Sequence, residues 1–241
     1  MRLFTTLLFV LTSIGSIAQE KKVIDHTVYN DWKSLKSAQI SNDGKFISYE
    51  IKPHRGDGVL CIYNVETGET DTIPRAYRAQ FSGGSSYIAF KITPGFDTLR
   101  TCELKEIKRP KWPKDSLGIY YLGQDSLAKY PKVKSFTTSD ENDWMAVQFQ
   151  HNKLTEVPGK KKKKKKRRKN KDPEYDSDGK LLWVFHPDYS KEIQNVTGYF
   201  MSNEGDHVAY KTHRSMDDID SVKVNFFSFT NRTVWTWKDQ Y

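Results

Sequence analysis

The chain has 241 residues, a formal charge of +9 and two cysteines, which leaves room for one large domain or two small ones at roughly 150 residues each. Charged residues make up 29% and the hydrophobic set 37%, yet aromatics reach 13%; that excludes a disordered chain, and a core folds here. The basic character is local, because Lys160 to Lys171 hold 11 of the 39 Lys and Arg residues, and taking those 11 charges from +9 leaves −2.

At the N-terminus, Met1-Arg2 precedes the apolar run Leu3 to Leu11, and Ser16-Ile17-Ala18 stands before Gln19. A basic start, an apolar stretch and small residues at −3 and −1 predict a signal peptide over 1–18, cut after Ala18. The apolar run is shorter than the roughly 20 residues of a bilayer span, and no cysteine follows it to carry a lipid. Residues 19–241 are therefore expected outside the cytoplasm, periplasmic or secreted, without stable membrane insertion.

A repeat organises the remainder of the chain. Ile40-Ser41-Asn42-Asp43-Gly44-Lys45 leads into Phe46 to Ile51, Phe81-Ser82 into Tyr87 to Ile92, Thr138-Ser139 into Trp144 to Phe149, and Met201-Ser202 into His207 to Thr212. Each copy has a serine, a four-residue polar turn and a six-residue strand with period-2 alternation. One column is always small: Ser48, Ala89, Ala146, Ala209. A strand with bulky groups on one face and a small one on the other suits sheets packed on both sides, as in an inner propeller strand.

Ser41 and Ser82 are 41 residues apart, within the range of about 40 to 45 for a four-stranded propeller blade. The next two intervals exceed that by 16 and 22 residues, which places insertion loops near 98–116 and 152–178. Further strands are predicted at Val59 to Val65 with the turn Glu66-Thr67-Gly68, at Leu117 to Leu122, at Leu181 to Phe185 and at Val222 to Phe229. With no sustained helical period, the fold is predicted to be all-β, a partial β-propeller of about four blades over 19–241. The Lys160 to Lys171 block reads as a solvated, mobile loop rather than a nucleic-acid-binding face, since its charges are not spread among aromatics.

Trp32-Lys33-Ser34-Leu35, then Ile40 to Lys45, then Ile62-Tyr63-Asn64-Val65-Glu66-Thr67-Gly68 resemble the start of the N-terminal β-propeller of secreted bacterial prolyl oligopeptidase and dipeptidyl aminopeptidase family serine peptidases. The resemblance implies a seven- or eight-bladed propeller ahead of an α/β-hydrolase domain with a Ser, Asp and His triad, acting on peptides. Four blades would make this chain the front part of such a protein. No catalytic residue carries over: G-x-S-x-G is absent, Ser82-Gly83-Gly84-Ser85 has the wrong spacing, and the Glu-Glu pair that some members use to hold a substrate amino terminus does not occur.

The other candidate sites have plainer readings. Histidines 26, 54, 151, 186, 207 and 213 lack metal-site spacing, and His207 falls in the column of Phe46, Tyr87 and Trp144, as a packed aromatic substitute. Asp217-Asp218-Ile219-Asp220 lacks the glycine and glutamate of an EF-hand and reads as a blade loop. Gly83-Gly84-Ser85-Ser86 reads as a hairpin turn, not a phosphate cradle. Asn195-Val196-Thr197 and Asn231-Arg232-Thr233 match the glycan acceptor pattern without implying use in a bacterium. Cys61, placed on the second strand of blade one, and Cys102, in the outer part of blade two, are expected to be two free, buried thiols. No catalytic, metal or cofactor residue is assigned. The functional expectation is a non-catalytic propeller that restricts peptide access to a downstream hydrolase domain, and the alternative is a stand-alone periplasmic propeller that acts as a protein-binding scaffold. A nucleic-acid partner is not expected.

Overall fold

The computed structural model describes Val28 and residues 32–124, 126–150, 180–216 and 219–237, with backbone alone for 213–216 and 219–222. The expected signal peptide, the 152–178 insertion and the Lys160 to Lys171 block lie outside the described residues.

The strands form antiparallel meanders. Blade one is β1 (Lys33–Ile40), β2 (Phe46–Pro53), β3 (Val59–Asn64) and β4 (Thr70–Pro74), and blade two is β5 (Ala76–Phe81), β6 (Tyr87–Ile92), β7 (Ser116–Tyr121) and β8 (Ser126–Tyr130). Next in the chain is a seven-stranded sheet: β9 (Val133–Thr138), β10 (Met145–Phe149), β11 (Lys180–His186), β12 (Tyr189–Met201), β13 (His207–Met216), β14 (Ile219–Ser228) and β15 (Val234–Thr236). It is two blades that share β12. Tyr189 to Val196 pair with β11 as the outermost strand of blade three, and Val196 to Met201 pair with β13 as the innermost strand of blade four. The fold is an all-β partial propeller of about four blades.

Each repeated serine ties its turn. Ser82 accepts the amides of Ser86 and Tyr87 on Oγ (3.1 and 3.3 Å), and its own N–H donates to the Tyr87 carbonyl (3.0 Å). Ser202 does the same with Asp206 and His207 (3.0 and 3.1 Å), and Ser41 accepts from Phe46 (3.0 Å). The chain thus reverses between the first and second strands of a blade with its orphan backbone donors satisfied.

Three apolar cores are the three inter-blade interfaces. Leu60, Ile62, Ile88 and Phe90 fill the first, Tyr87, Ala89, Ile119, Met145, Val147 and Trp183 the second, and Ala146, Val184, Val208, Tyr210 and Phe227 the third. In β6, Ile88 and Phe90 point back at blade one while Tyr87 and Ala89 point on to blade three, so the small column faces the next blade as the sequence predicts. Each buried Val, Leu, Ile or Phe here contributes roughly 1.5 to 3 kcal/mol.

Four expectations need correction. The strands after each serine are second strands, not inner ones; the inner strands β1, β5, β9 and the end of β12 precede the serine. Cys61 is accordingly on the third strand of its blade. Part of the first insertion is a helix, α1 (Phe96–Leu104), with Cys102 its one buried residue. Its apolar face is short, Phe96, Leu99 and Cys102 within nine residues, and its start is held from outside: the Phe96 N–H donates to Asp57 Oδ1 of blade one (2.9 Å). His207 keeps its place as the first residue of its strand but is exposed, because its face of blade four has no further sheet over it among the described residues. Both cysteines are free and buried, as expected.

Ser48 Oγ is buried without a partner among the described residues, in the column where blades two to four have alanine. Ser48→Ala should stabilise the protein by about 1 kcal/mol in urea titrations, whereas Ala89→Leu should cost about 1 to 3 kcal/mol by overpacking. Blade four carries a cross-strand row, Phe200, Ala209, Phe226 and Trp235, in which Phe226 and Trp235 stack at 4.2 Å and Phe200 is 71% exposed. Sedimentation should show concentration-dependent association of the chain, weakened in the variant combining Phe200→Asp with Trp235→Asp; a wild type that stays monomeric would contradict this.

Candidate functional site: a cationic axial pocket

The serine turns gather at one end and interlock. The Asn42 amide donates to the carbonyls of Gly83 and Asp140, each at 3.0 Å, linking blade one to blades two and three. The Gly83 N–H donates to the Asn142 carbonyl (2.9 Å), and the Asn142 amide donates onward to the Glu204 carbonyl (3.0 Å). Ser86 Oγ donates to Asp143 Oδ2 (2.5 Å). A Cβ on Gly83 or Gly84 would lie 2.4 Å from blade three, so Gly83-Gly84-Ser85-Ser86 is a hairpin turn whose glycines allow close approach between blades.

Behind this ring run two cavities that share Gln39 and Gln80. One, of about 470 Å³, lies among the turns. The other, of about 410 Å³, is bounded by Ser37, Gln39, Arg78, Gln80, Lys91, Lys134 and Ser135. The inner strands make its wall, and they are bulged there. Ladder register shifts between Lys36 and Gln39 in β1 and between Tyr77 and Gln80 in β5, with Ser37 and Arg78 in the left-handed region at φ 52° and 51°. Glu50 of β2 holds the second bulge by accepting the Arg78 N–H (2.7 Å).

The charge in this pocket is one-sided. Lys91 is 8% exposed, and its ammonium donates to the Lys134 carbonyl (2.7 Å). Lys134 Nζ donates to Gln148 Oε1 (3.0 Å), and Gln148 Nε2 to the Val196 carbonyl (3.1 Å). No ion pair to Lys91, Lys134 or Arg78 is found among the described residues. The nearby carboxylate of Asp115 accepts instead from the Tyr77 hydroxyl (2.5 Å). Burial holds Lys91 below the usual lysine value, with Asp115 opposing and Arg78 adding to the shift; burial and then Lys180 lower Lys134.

The sequence does not reveal this pocket, because its cations come from three strands and carry no shared motif. The histidines do not converge: His186 accepts the Asp188 N–H on Nδ1 (3.2 Å) and lies 4.9 Å from the Trp144 ring, and His54 lines a separate cleft beside α1. His26 and His151 lie outside the described residues, as do Asp217 and Asp218; Ile219 and Asp220 begin β14. No cluster of metal-ligating side chains occurs among the described residues, and no helix among them is long and apolar enough to cross a membrane.

No protein-family model and no curated protein matches the chain. Among solved structures it is similar to the β-propeller domain of the Trilobed protease from Pyrococcus furiosus, at 10% identity over 86% of this chain and 58% of that one, with a TM-score of 0.47. It is also similar to the Pyrococcus horikoshii acylaminoacyl peptidase, at 13% identity over 89% and 34% with a TM-score of 0.45. TolB from Acinetobacter baumannii matches at 8% identity over 85% and 43%, with a TM-score of 0.40. The chain spans 58% or less of the length of each.

The pocket makes stability depend on pH with a definite sign. Below its depressed native value Lys91 is charged in both states and its burial opposes folding in full. Between that value and the ordinary 10.5 the unfolded chain binds the extra proton, so stability contributed at this site rises with pH. Urea titrations should show wild type gaining on Lys91→Met as the pH is raised from about 7 toward about 10.

Proposed function

We propose that this chain is the non-catalytic propeller portion of a secreted prolyl oligopeptidase-like serine peptidase, restricting which peptides reach a hydrolase domain contributed by sequence outside these residues. The observation that carries the reading is the axial passage: polar along its wall and crossed at one end by Asn42 of blade one, which hydrogen-bonds to the turns of blades two and three. Such a passage fits an extended peptide, whose backbone groups need partners, and rejects a folded protein. The resemblance of Trp32 to Gly68 to that peptidase family supports the same reading, and the Ser16-Ile17-Ala18 cleavage pattern supports export to the periplasm or beyond. A second reading, a periplasmic scaffold for another protein, draws on the exposed aromatic row of blade four.

The test uses the complete gene product. Its reading frame past Tyr241 should encode further blades and then G-x-S-x-G, with Asp and His after it in that order. The purified protein should hydrolyse short peptides and spare folded proteins, and Asn42→Ala should admit longer peptides with a severalfold higher rate. A product that ends without a hydrolase domain and binds a folded protein would overturn the peptidase reading in favour of the scaffold.

A further inference from the structure

Resting on the reading of the axial passage as a route for peptides, we propose that the pocket between blades one, two and three selects peptides with acidic side chains, binding their carboxylates at Lys91, Lys134 and Arg78. An ammonium offers three donors, and Lys91, itself 8% exposed, has one acceptor among the described residues, the Lys134 carbonyl. Burying a cation without a counter-charge is unfavourable, and here two more cations from separate strands line the same cavity with no ion pair among the described residues. A carboxylate entering the pocket relieves that cost and the mutual repulsion at once, through hydrogen bonds to charged donors, the stronger class.

The rest of the lining favours a peptide over a small inorganic anion. Ser37, Gln39, Gln80 and Ser135 supply neutral donors and acceptors along the wall, suited to backbone amides, and Phe136 adds an apolar surface. The cavity of about 410 Å³ shares Gln39 and Gln80 with its neighbour of about 470 Å³, and the two volumes together exceed what one anion needs. Asp115 makes no ion pair with these cations among the described residues: its Oδ2 accepts from the Tyr77 hydroxyl, and its charge reaches Lys91 without a direct contact.

The experiment is calorimetric titration of the full chain with acetyl-Ala-Glu-Glu-Ala-amide, with its Gln-Gln counterpart and with inorganic phosphate. The Glu peptide should bind about tenfold or more tighter than the Gln peptide. Lys91→Met and Arg78→Gln should each remove most of that preference and leave the Gln peptide within about twofold of its wild-type affinity. Arg78 is exposed, so its variant reports even if Lys91→Met alters folding. Equal binding of both peptides would overturn the acidic preference and leave the peptide passage standing, while binding of neither would overturn both. Preference lost on replacing Lys160 to Lys171 with Gly and Ser, but kept in Lys91→Met and Arg78→Gln, would assign it to that block and overturn the pocket. Phosphate binding as tightly as the Glu peptide would reduce the pocket to a simple anion site and overturn the peptide assignment.

Discussion

Face-to-face packing of neighbouring sheets is the constraint on which the rest of this structure depends. A second strand such as β6 is covered on both faces, all six of its residues being buried, so both faces are apolar except at Lys91, and their volumes must match. The chain meets this by giving one face bulky groups, Ile88 and Phe90, and the other a small Ala89 that takes the bulky face of blade three. Gly118 shows how little slack is left: a Cβ there would stand 2.2 Å from the Phe90 ring. A closely packed interior of this kind transmits any change of volume.

That packing fixes where the inner strands go. Once the sheets stack, their first strands line an axis instead of a core, and burial no longer selects their residues; β1 is exposed along almost its whole length. These strands are free to carry Lys134, Arg78, Gln39 and Gln80, and to bulge. The interlocked turns then close one end of the passage. Strand position thus divides most of the work: apolar second and third strands make the molecule rigid, and polar first strands, with Lys91 reaching in from the second strand β6, make its chemistry.

The same division explains what is legible in the sequence. Second strands are visible through the serine, the turn and the small column, and third strands through runs such as Leu117 to Leu122 and Leu181 to Phe185, because burial on two faces writes a strong apolar pattern. Inner and outer strands write none, so a repeat read from the serine forward puts the inner strand in the wrong place. A signal for the missing corner does exist. Seven residues before each later serine stand Arg75, Lys132 and Asn195, all in the left-handed region at φ 64°, 60° and 60°, and Pro74 and Pro131 precede the first two. The carbonyls of Arg75 and Lys132 accept from Thr93 and Gln150, just beyond the second strands (3.0 and 2.9 Å). Helix α1 is hidden because nine residues are too few for a sustained helical period, and the carboxylate that accepts its first N–H, Asp57, lies in another blade.

The stacking of successive blades around one axis is tested most directly by a double-mutant cycle on Ser86 and Asp143, whose side chains hydrogen-bond at 2.5 Å from blade two to blade three. Unfolding free energies of wild type, Ser86→Ala, Asp143→Ala and the double variant should give a coupling of about 1 to 3 kcal/mol. Strict additivity of the two substitutions would contradict the account, because it would mean that the turns of neighbouring blades do not meet.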